Sequence, residues 1–290
     1  MQSVPVILLN YNSSADCTKC VSDLKRQEGV ELEIIIVDNC SREDDALAVE
    51  QLAKAEGCTF IAAKENRGYN AGNNIGLRYA AEKGYEYALI ANPDMEFPQR
   101  DYVRRMVMEM EKRADVSVVA TDITSPELQH QNPMLPDSKD WKSSFGWIKT
   151  LFHRKKNETP GFIGDYNTSH ICQKVSGCCL MIRMDFIQRI GFFDENVFLY
   201  CEEAILSKQV EQANMHMYYM AELQAVHRHI KSTKGNPRKR FKAWIDSRLY
   251  FERRYNYQGM WSYGMKTIGW RSYLTVFCMV DSLRSILRIQ

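Results

Sequence analysis

Val4-Pro5-Val6-Ile7-Leu8-Leu9 runs directly into Asn10-Tyr11-Asn12-Ser13-Ser14. Apolar residues in an unbroken run, without alternation, mark a short strand covered on both faces, as in a parallel sheet. The polar turn that follows carries N-cap candidates, Ser13 and Ser14, for a helix reaching about residue 27. The unit then repeats. Apolar strands are predicted at 32–37, 60–62, 85–91 and 116–120, and helices at 44–56, 71–83 and 99–113. Strands alternating with helices of this length predict an α/β fold whose central sheet is mostly parallel and flanked by helices.

Beyond residue 121 the alternation stops. Residues 125–174 hold Pro126, Pro133, Pro136 and Pro160 together with Trp141, Phe145, Trp147 and Phe152. A loop this long is expected to be functional or mobile, its aromatic residues forming either a satellite core or a lid. Regular structure resumes near Val175. A helix is predicted at 202–213, a strand at 215–219, and two basic helices at 237–255 and 272–288.

The formal net charge is only +2, but it is unevenly spread. From Arg228 onward, fourteen Lys or Arg face only Asp246, Glu252 and Asp281, so the rest of the chain is acidic. No recognition motif accompanies the basic residues, which argues against a nucleic-acid partner and for an anionic membrane surface. No apolar run approaches the roughly 18 residues needed to span a bilayer; the best stretch, 273–280, runs into Asp281. Residues 1–10 read as a strand and not as a leader. The nine scattered cysteines are therefore expected in a reducing, cytoplasmic compartment. Cys17 and Cys20 form a Cys-x-x-Cys pair without the second pair a zinc site needs.

In open parallel sheets, ligands bind at the carboxyl ends of the strands. The first predicted strand ends in Asn10 and Asn12, and the second in Asp38-Asn39-Cys40-Ser41. The third is followed by Asn66, Gly68, Asn70, Gly72 and Asn74, and the fourth by Asn92-Pro93-Asp94. Four such edges on one side of a sheet predict a site. The turn after the first strand has no glycine, which excludes a dinucleotide fingerprint, and no Walker loop is present. A nucleotide remains the expected ligand. Asp38 can accept from a base or ribose. Small residues after Gly68 admit an anion at a helix N-terminus, and Asp94 suits a hard divalent cation bridging a diphosphate.

These pieces, in this order, resemble the family 2 glycosyltransferases, above all the rhamnosyltransferase-like and galactofuranosyltransferase-like branch that builds bacterial surface polysaccharides. The resemblance covers roughly residues 4–235. It continues through Val175-Ser176-Gly177, Ile190-Gly191-Phe192-Phe193-Asp194-Glu195, Phe198-Leu199-Tyr200-Cys201-Glu202-Glu203 and Val226-His227 with Ser232. It implies a GT-A nucleotide-diphospho-sugar transferase fold over residues 1–235. Its nucleotide-sugar half would be 1–121 and its acceptor half 122–235, with a basic helical extension at 236–290. It implies Asp38 against the base, and Asp94 and His227 as ligands of Mg2+ or Mn2+, with His229 the competitor for the histidine. Glu203 would be the general base, with Glu202 the fallback. The donor would be a UDP- or dTDP-sugar. The acceptor would be a lipid-linked glycan of O-antigen or capsule synthesis, met at the inner face of the plasma membrane. Two departures stand out: Asn92 replaces the first acid of the family's Asp-x-Asp, and Glu203 replaces its usual Asp. A sugar-nucleotide pyrophosphorylase lacks its Gly-rich loop here, and a non-catalytic scaffold is the remaining alternative.

Overall fold

The computed structural model describes residues 3–148, 163–228 and 236–287. The chain opens with β1 (Ser3–Asn10), α1 (Ser14–Leu24), β2 (Glu31–Asp38), α2 (Glu43–Glu56), β3 (Thr59–Ala62), α3 (Tyr69–Glu82) and β4 (Tyr87–Ala91). It continues through β5 (Met95–Glu96), α4 (Tyr102–Lys112), β6 (Val116–Thr124), β7 (His170–Cys172), β8 (Cys179–Arg183) and α5 (Met184–Arg189). It closes with α6 (Glu202–Gln212), β9 (His216–His227), α7 (Pro237–Arg254) and α8 (Met260–Leu287).

One sheet runs in the order β3-β2-β1-β4-β8-β6-β9-β5, with β7 also on β9. Its first four strands are parallel, as the alternating pattern requires. Alternate residues of β1 face opposite layers. Val4, Val6 and Leu8 join Cys17, Leu24, Val49 and Met106 under α1, α2 and α4. Ile7 and Leu9 join Leu77, Phe186 and Leu206 under α3, α5 and α6. This two-sided burial is why β1 reads as a continuous apolar run. Helix α3 presses closely on the sheet: a Cβ at Gly72 would lie 2.5 Å from Leu9 Cδ1, and one at Gly76 2.6 Å from Ile7 Cγ2.

The second half is less regular than the first. β8 inserts antiparallel between β4 and β6, pairing Ala91 with Cys179. β9 runs well past the predicted 215–219. Its end pairs antiparallel with the short β5, Met95 opposite His227. The last helix begins at Met260 and not near 272, because Gly264 and Gly269 do not break it. Gly269 sits where a Cβ would lie 2.8 Å from the Ser144 carbonyl oxygen, so the glycine permits contact with the 3-10 turn Trp141–Phe145.

The aromatic residues of 125–174 that are described pack inward as a satellite core. Trp141 meets Trp261 edge-on at 5.3 Å, and Trp147 stacks on Tyr273 at 5.3 Å. Phe152 and Pro160 lie outside the described residues, as do His229 and Ser232. Buried charges pin the terminal helices to this segment. Asp137 accepts from Lys174 at 2.8 Å and also from Arg248, while Glu252 accepts from Lys266 at 2.5 Å and pairs with Arg248 at 3.1 Å. Burying one member without the other would leave an uncompensated charge, so these helices and the body are bound to move together.

Candidate active site

The carboxyl ends of β1, β2 and β4 open on a cleft of about 380 Å3. Tyr11, Ser13 and Asp16 wall it on the β1 side, and Asn39 lies at the end of β2. Asn66, Gly68 and Tyr69 come from the start of α3. Asn92, Pro93 and Asp94 come from the β4–β5 turn, and Phe198 and Leu199 close the far wall. Two carboxylates, Asp16 and Asp94, stand in this lining, and none of its described residues is Lys or Arg.

Of the residues expected on the donor side, Asn66, Gly68, Asn92 and Asp94 line the cleft. The others are outside the cleft lining and make contacts within the protein. Asn10 and Asp38 face each other in register at the ends of β1 and β2. Asn10 Nδ2 donates to Asp38 Oδ1 and to Asp45 Oδ1, both at 2.8 Å, and Asp38 Oδ2 accepts from the Ser41 amide at 3.1 Å. With both oxygens engaged and 3% exposure, Asp38 ties strand ends together, and its neighbour Asn39 occupies the wall. Asn12 accepts from the Arg42 amide at 2.9 Å, joining two turns. Asn70 donates to the Asp194 carbonyl at 2.7 Å. Asn74 exchanges hydrogen bonds with the Phe193 backbone at 2.9 and 3.0 Å. Gly72 faces β1, not the cleft.

Gly68 is fixed by geometry. Its φ is +99°, and a Cβ would run into the Phe198 carbonyl, only 2.7 Å from Phe198 Cα. The next amide, Tyr69 N–H, donates to that same carbonyl at 2.9 Å. The glycine therefore seats the 198–199 wall against the start of α3.

Asp94 and His227 are assembled by the β5–β9 pairing. The Arg228 amide donates to the Asp94 carbonyl at 2.9 Å, and His227 Nε2 lies 3.3 Å from Asp94 Oδ1. Gln131 Oε1 is 2.9 Å from His227 Nδ1 and orients the ring. Burial alone would lower the imidazole's pKa. The contacts with Asp94 and Cys178 outweigh it and push it up to about 10. An imidazole nitrogen beside a carboxylate is also the donor set that would hold a divalent cation if one were bound. Among the described residues, no group of three or more His, Cys, Asp and Glu converges.

The pair Glu202-Glu203 opens α6 on the other side of Tyr69. The Tyr69 hydroxyl donates to the Gly177 carbonyl at 2.8 Å, with Asn92 Oδ1 a longer acceptor at 3.2 Å. A Cβ at Gly177 would lie 3.8 Å from Glu203 Oε1. Glu202 and Glu203 line a separate small recess with Tyr69, Asn70 and Gly177, on the other side of Tyr69 from the cleft, and neither is part of the cleft lining itself. Glu202 is turned differently: its Oε1 accepts from the Tyr200 amide at 2.7 Å. Tyr200 and Cys201, at φ +75° and +67°, bend the chain sharply to allow this. Burial first, and then the charge of Glu203, push Glu202 up to about 8. Burial therefore favours the neutral form of Glu202.

The model of glycosyl transferase family 2 matches residues 6–191, well over half the chain. The chain belongs to that family. The low-salt glycan biosynthesis hexosyltransferase Agl10 of Haloferax volcanii is 25% identical over 228 residues, which span 78% of this chain and 67% of that protein. The rhamnosyltransferase WbbL of Escherichia coli is 22% identical over 233 residues, 77% of this chain and 83% of that protein. Among solved structures, the mannosyltransferase PcManGT of Pyrobaculum calidifontis, in complex with GDP-Man and Mn2+, superposes with a TM-score of 0.60 at 15% identity, covering 93% of this chain and 69% of that one. S. aureus TarS in complex with UDP-GlcNAc gives 0.55 at 14% identity, covering 89% and 68%. The fold is that of the GT-A glycosyltransferases, and the chain is a glycosyltransferase of glycan biosynthesis.

Sequence reasoning passed over Asp16, Tyr69, Phe198 and Leu199 as cleft residues. Asp16 lies within a helix, and Tyr69 looked like one more residue of a Gly/Asn-rich start. The signal available for Tyr69 was its place directly after Gly68, where the chain must turn. The exchange of Asp38 for Asn39 yields a clean test. Asp38→Ala removes one acceptor of the Asn10 amide and the acceptor of the Ser41 amide and should cost about 1–3 kcal/mol of stability in denaturant unfolding, with nucleotide affinity of the surviving fold nearly unchanged. Asn39→Ala, which removes the donor to Asn66 Oδ1 and the Gly68 carbonyl, should weaken UDP binding and lower stability together. An Asp38→Ala protein as stable as its parent that no longer binds UDP in calorimetry would show that Asp38 holds the nucleotide.

Proposed function

We propose that the chain is an inverting transferase that moves a sugar from a UDP- or dTDP-sugar to a lipid-linked glycan acceptor, with a divalent cation, Mg2+ or Mn2+, at Asp94 and His227. The observation that carries this reading is the charge of the cleft. Asp16 and Asp94 face a ligand that is itself a diphosphate, with no Lys or Arg in the described lining. Two anions in a partly closed cleft repel each other unless a cation lies between them. When bound, the cation neutralises the departing diphosphate. Tyr11, 54% exposed at the wall, offers an aromatic surface for the base, and Asn39 an amide for its edge.

In the transfer, Glu203 takes the proton of the acceptor hydroxyl. That oxygen bonds to C1 of the sugar from the face opposite the diphosphate, the C1–O bond breaks, and the nucleoside diphosphate leaves with the electron pair. Glu202, whose carboxyl is turned to the Tyr200 amide, stays out of this step. An acceptor at the inner membrane face accords with the basic terminal stretch, and no described helix is long and apolar enough to cross a bilayer.

A panel of nucleotide sugars, assayed for nucleoside diphosphate release and glycan transfer, tests the reading. Transfer should vanish with EDTA and return with Mn2+ or Mg2+. Turnover unaffected by chelation would remove the cation from Asp94 and His227; no release from any donor would leave the scaffold reading.

A further inference from the structure

Between α5 and α6 the chain forms no helix or strand, yet this stretch carries the far wall of the cleft, Phe198 and Leu199, and leads into the glutamate pair. Two of its residues, Tyr200 and Cys201, hold φ of +75° and +67°. Side chains other than glycine's keep that conformation only where their surroundings impose it. On the inner side α3 supplies those surroundings. The Tyr69 amide donates to the Phe198 carbonyl at 2.9 Å, and Asn70 donates to the Asp194 carbonyl at 2.7 Å.

The outer side is held by α7. The Ser247 hydroxyl donates to the Leu199 carbonyl at 2.7 Å. Tyr250, and Tyr255 just past the end of the helix, donate their hydroxyls to Asp194 Oδ2 at 2.6 and 2.7 Å. Asp194 Oδ1 accepts from the amide and the side chain of Asn196 at 2.9 and 2.7 Å. Burial alone would raise the Asp194 carboxyl, and the hydrogen bonds led by Tyr250 and Tyr255 outweigh it and hold the carboxyl below its ordinary value. Phe251, fully buried, packs with Val197, Ala204 and Ile205 in a small core of their own. Residues 247, 250 and 251 share one face of α7, as i, i+3 and i+4 positions do.

We propose that Ser247, Tyr250 and Tyr255 are positioning residues for the transfer: they clamp the segment Asp194–Glu203 against α3 and so fix where the Glu203 carboxylate meets the acceptor. Residues 237–255 then belong to the transferase and are not an appendage to it. This rests on Glu203 as the base. Without the hydroxyls the cleft wall still leans on α3, so the donor is held, whereas Glu203 loses its fixed distance to the acceptor. A misplacement of ~1 Å in such a group costs on the order of 100-fold in rate.

The test uses the full chain. Tyr250→Phe/Tyr255→Phe keeps both rings and removes both donors to Asp194. It should lower kcat for glycan transfer by about 10–100-fold, with UDP affinity within a few fold of the parent. Backbone amides of 194–203 should exchange hydrogen faster, and those of β1 and β4 should not. Tyr250→Phe alone leaves Tyr255 on Asp194 and should recover most of kcat. Ser247→Ala, added to the pair, should deepen the loss. Arg238→Gln is the control: it breaks the ion pair of α7 with Asp281, roughly 14 Å along the helix from Ser247, and should lower the melting temperature with kcat unchanged. A double variant with parental kcat, or one no slower than an Arg238→Gln protein of equal melting temperature, overturns the proposal. So does unchanged exchange at 194–203. A slow double variant beside a fully active Glu203→Gln would remove Glu203 as the base and leave the clamp standing.

Discussion

Asp94→Asn is expected to lower glycan transfer by about 10²–10³ while leaving the fold intact. The substitution keeps the shape of the side chain and the backbone pairing of Asp94 with Arg228, so β5 and β9 stay joined. What it removes is the negative charge facing His227 Nε2 at 3.3 Å. An amide is a poor ligand for a hard cation, and the cleft would hold a diphosphate with less compensation. The defect should shrink as Mn2+ is raised, because weaker affinity can be met by concentration. Measured kcat/KM against Mn2+ concentration checks this. An Asp94→Asn enzyme with parental kcat/KM at low Mn2+ would show that the carboxylate holds no catalytic cation.

Glu203→Gln is expected to lower turnover by about 10²–10⁴ with donor affinity within a few fold, since the base acts on an acceptor absent from the binary donor complex. Glu202→Gln gives the opposite signature. Its carboxyl holds a proton up to about pH 8 in the folded chain but releases it near the ordinary value of 4.5 when unfolded. Between those values the folded state binds more protons, so the native chain loses stability as pH rises. Glutamine cannot ionise and still offers an oxygen to the Tyr200 amide. Glu202→Gln should therefore be as stable as the parent near pH 4.5 and increasingly more stable towards pH 8, with turnover largely retained. Unfolding at several pH values, beside turnover at neutral pH, separates the two roles. If Glu202→Gln abolishes turnover and Glu203→Gln does not, the base is Glu202.

The parallel half of the sheet was legible because β1, β4 and the second half of β2 are buried on both faces and so appear as unbroken apolar runs. The side of the sheet that carries the site followed from the same pattern. Which polar residue of each strand end faces the cleft did not. Asn10 and Asp38 are partners across two adjacent strands, and such a lateral bond leaves no mark in either local sequence. Gly72 and Asn74 sit on a helix whose start looks designed for a ligand. There the glycine meets Leu9 and the asparagine meets Phe193, contacts set by tertiary packing alone. β8 was unreadable as an antiparallel insertion, since four of its five residues are buried like those of a parallel strand. His227 entered through resemblance, and the extension of β9 supplies its physical reason.

The β5–β9 pairing also sets when Asp94 meets His227. Asp94 leaves the ribosome roughly 130 residues before His227. At ~5–20 residues per second that is about 6–26 s of synthesis. During this interval the parallel half has all four of its strands, and the cleft has most of its walls, but the acid lacks its histidine. The Asp94–His227 pair forms only when a strand of two residues closes on the last strand of the sheet, so this contact is among the last that the growing chain can make.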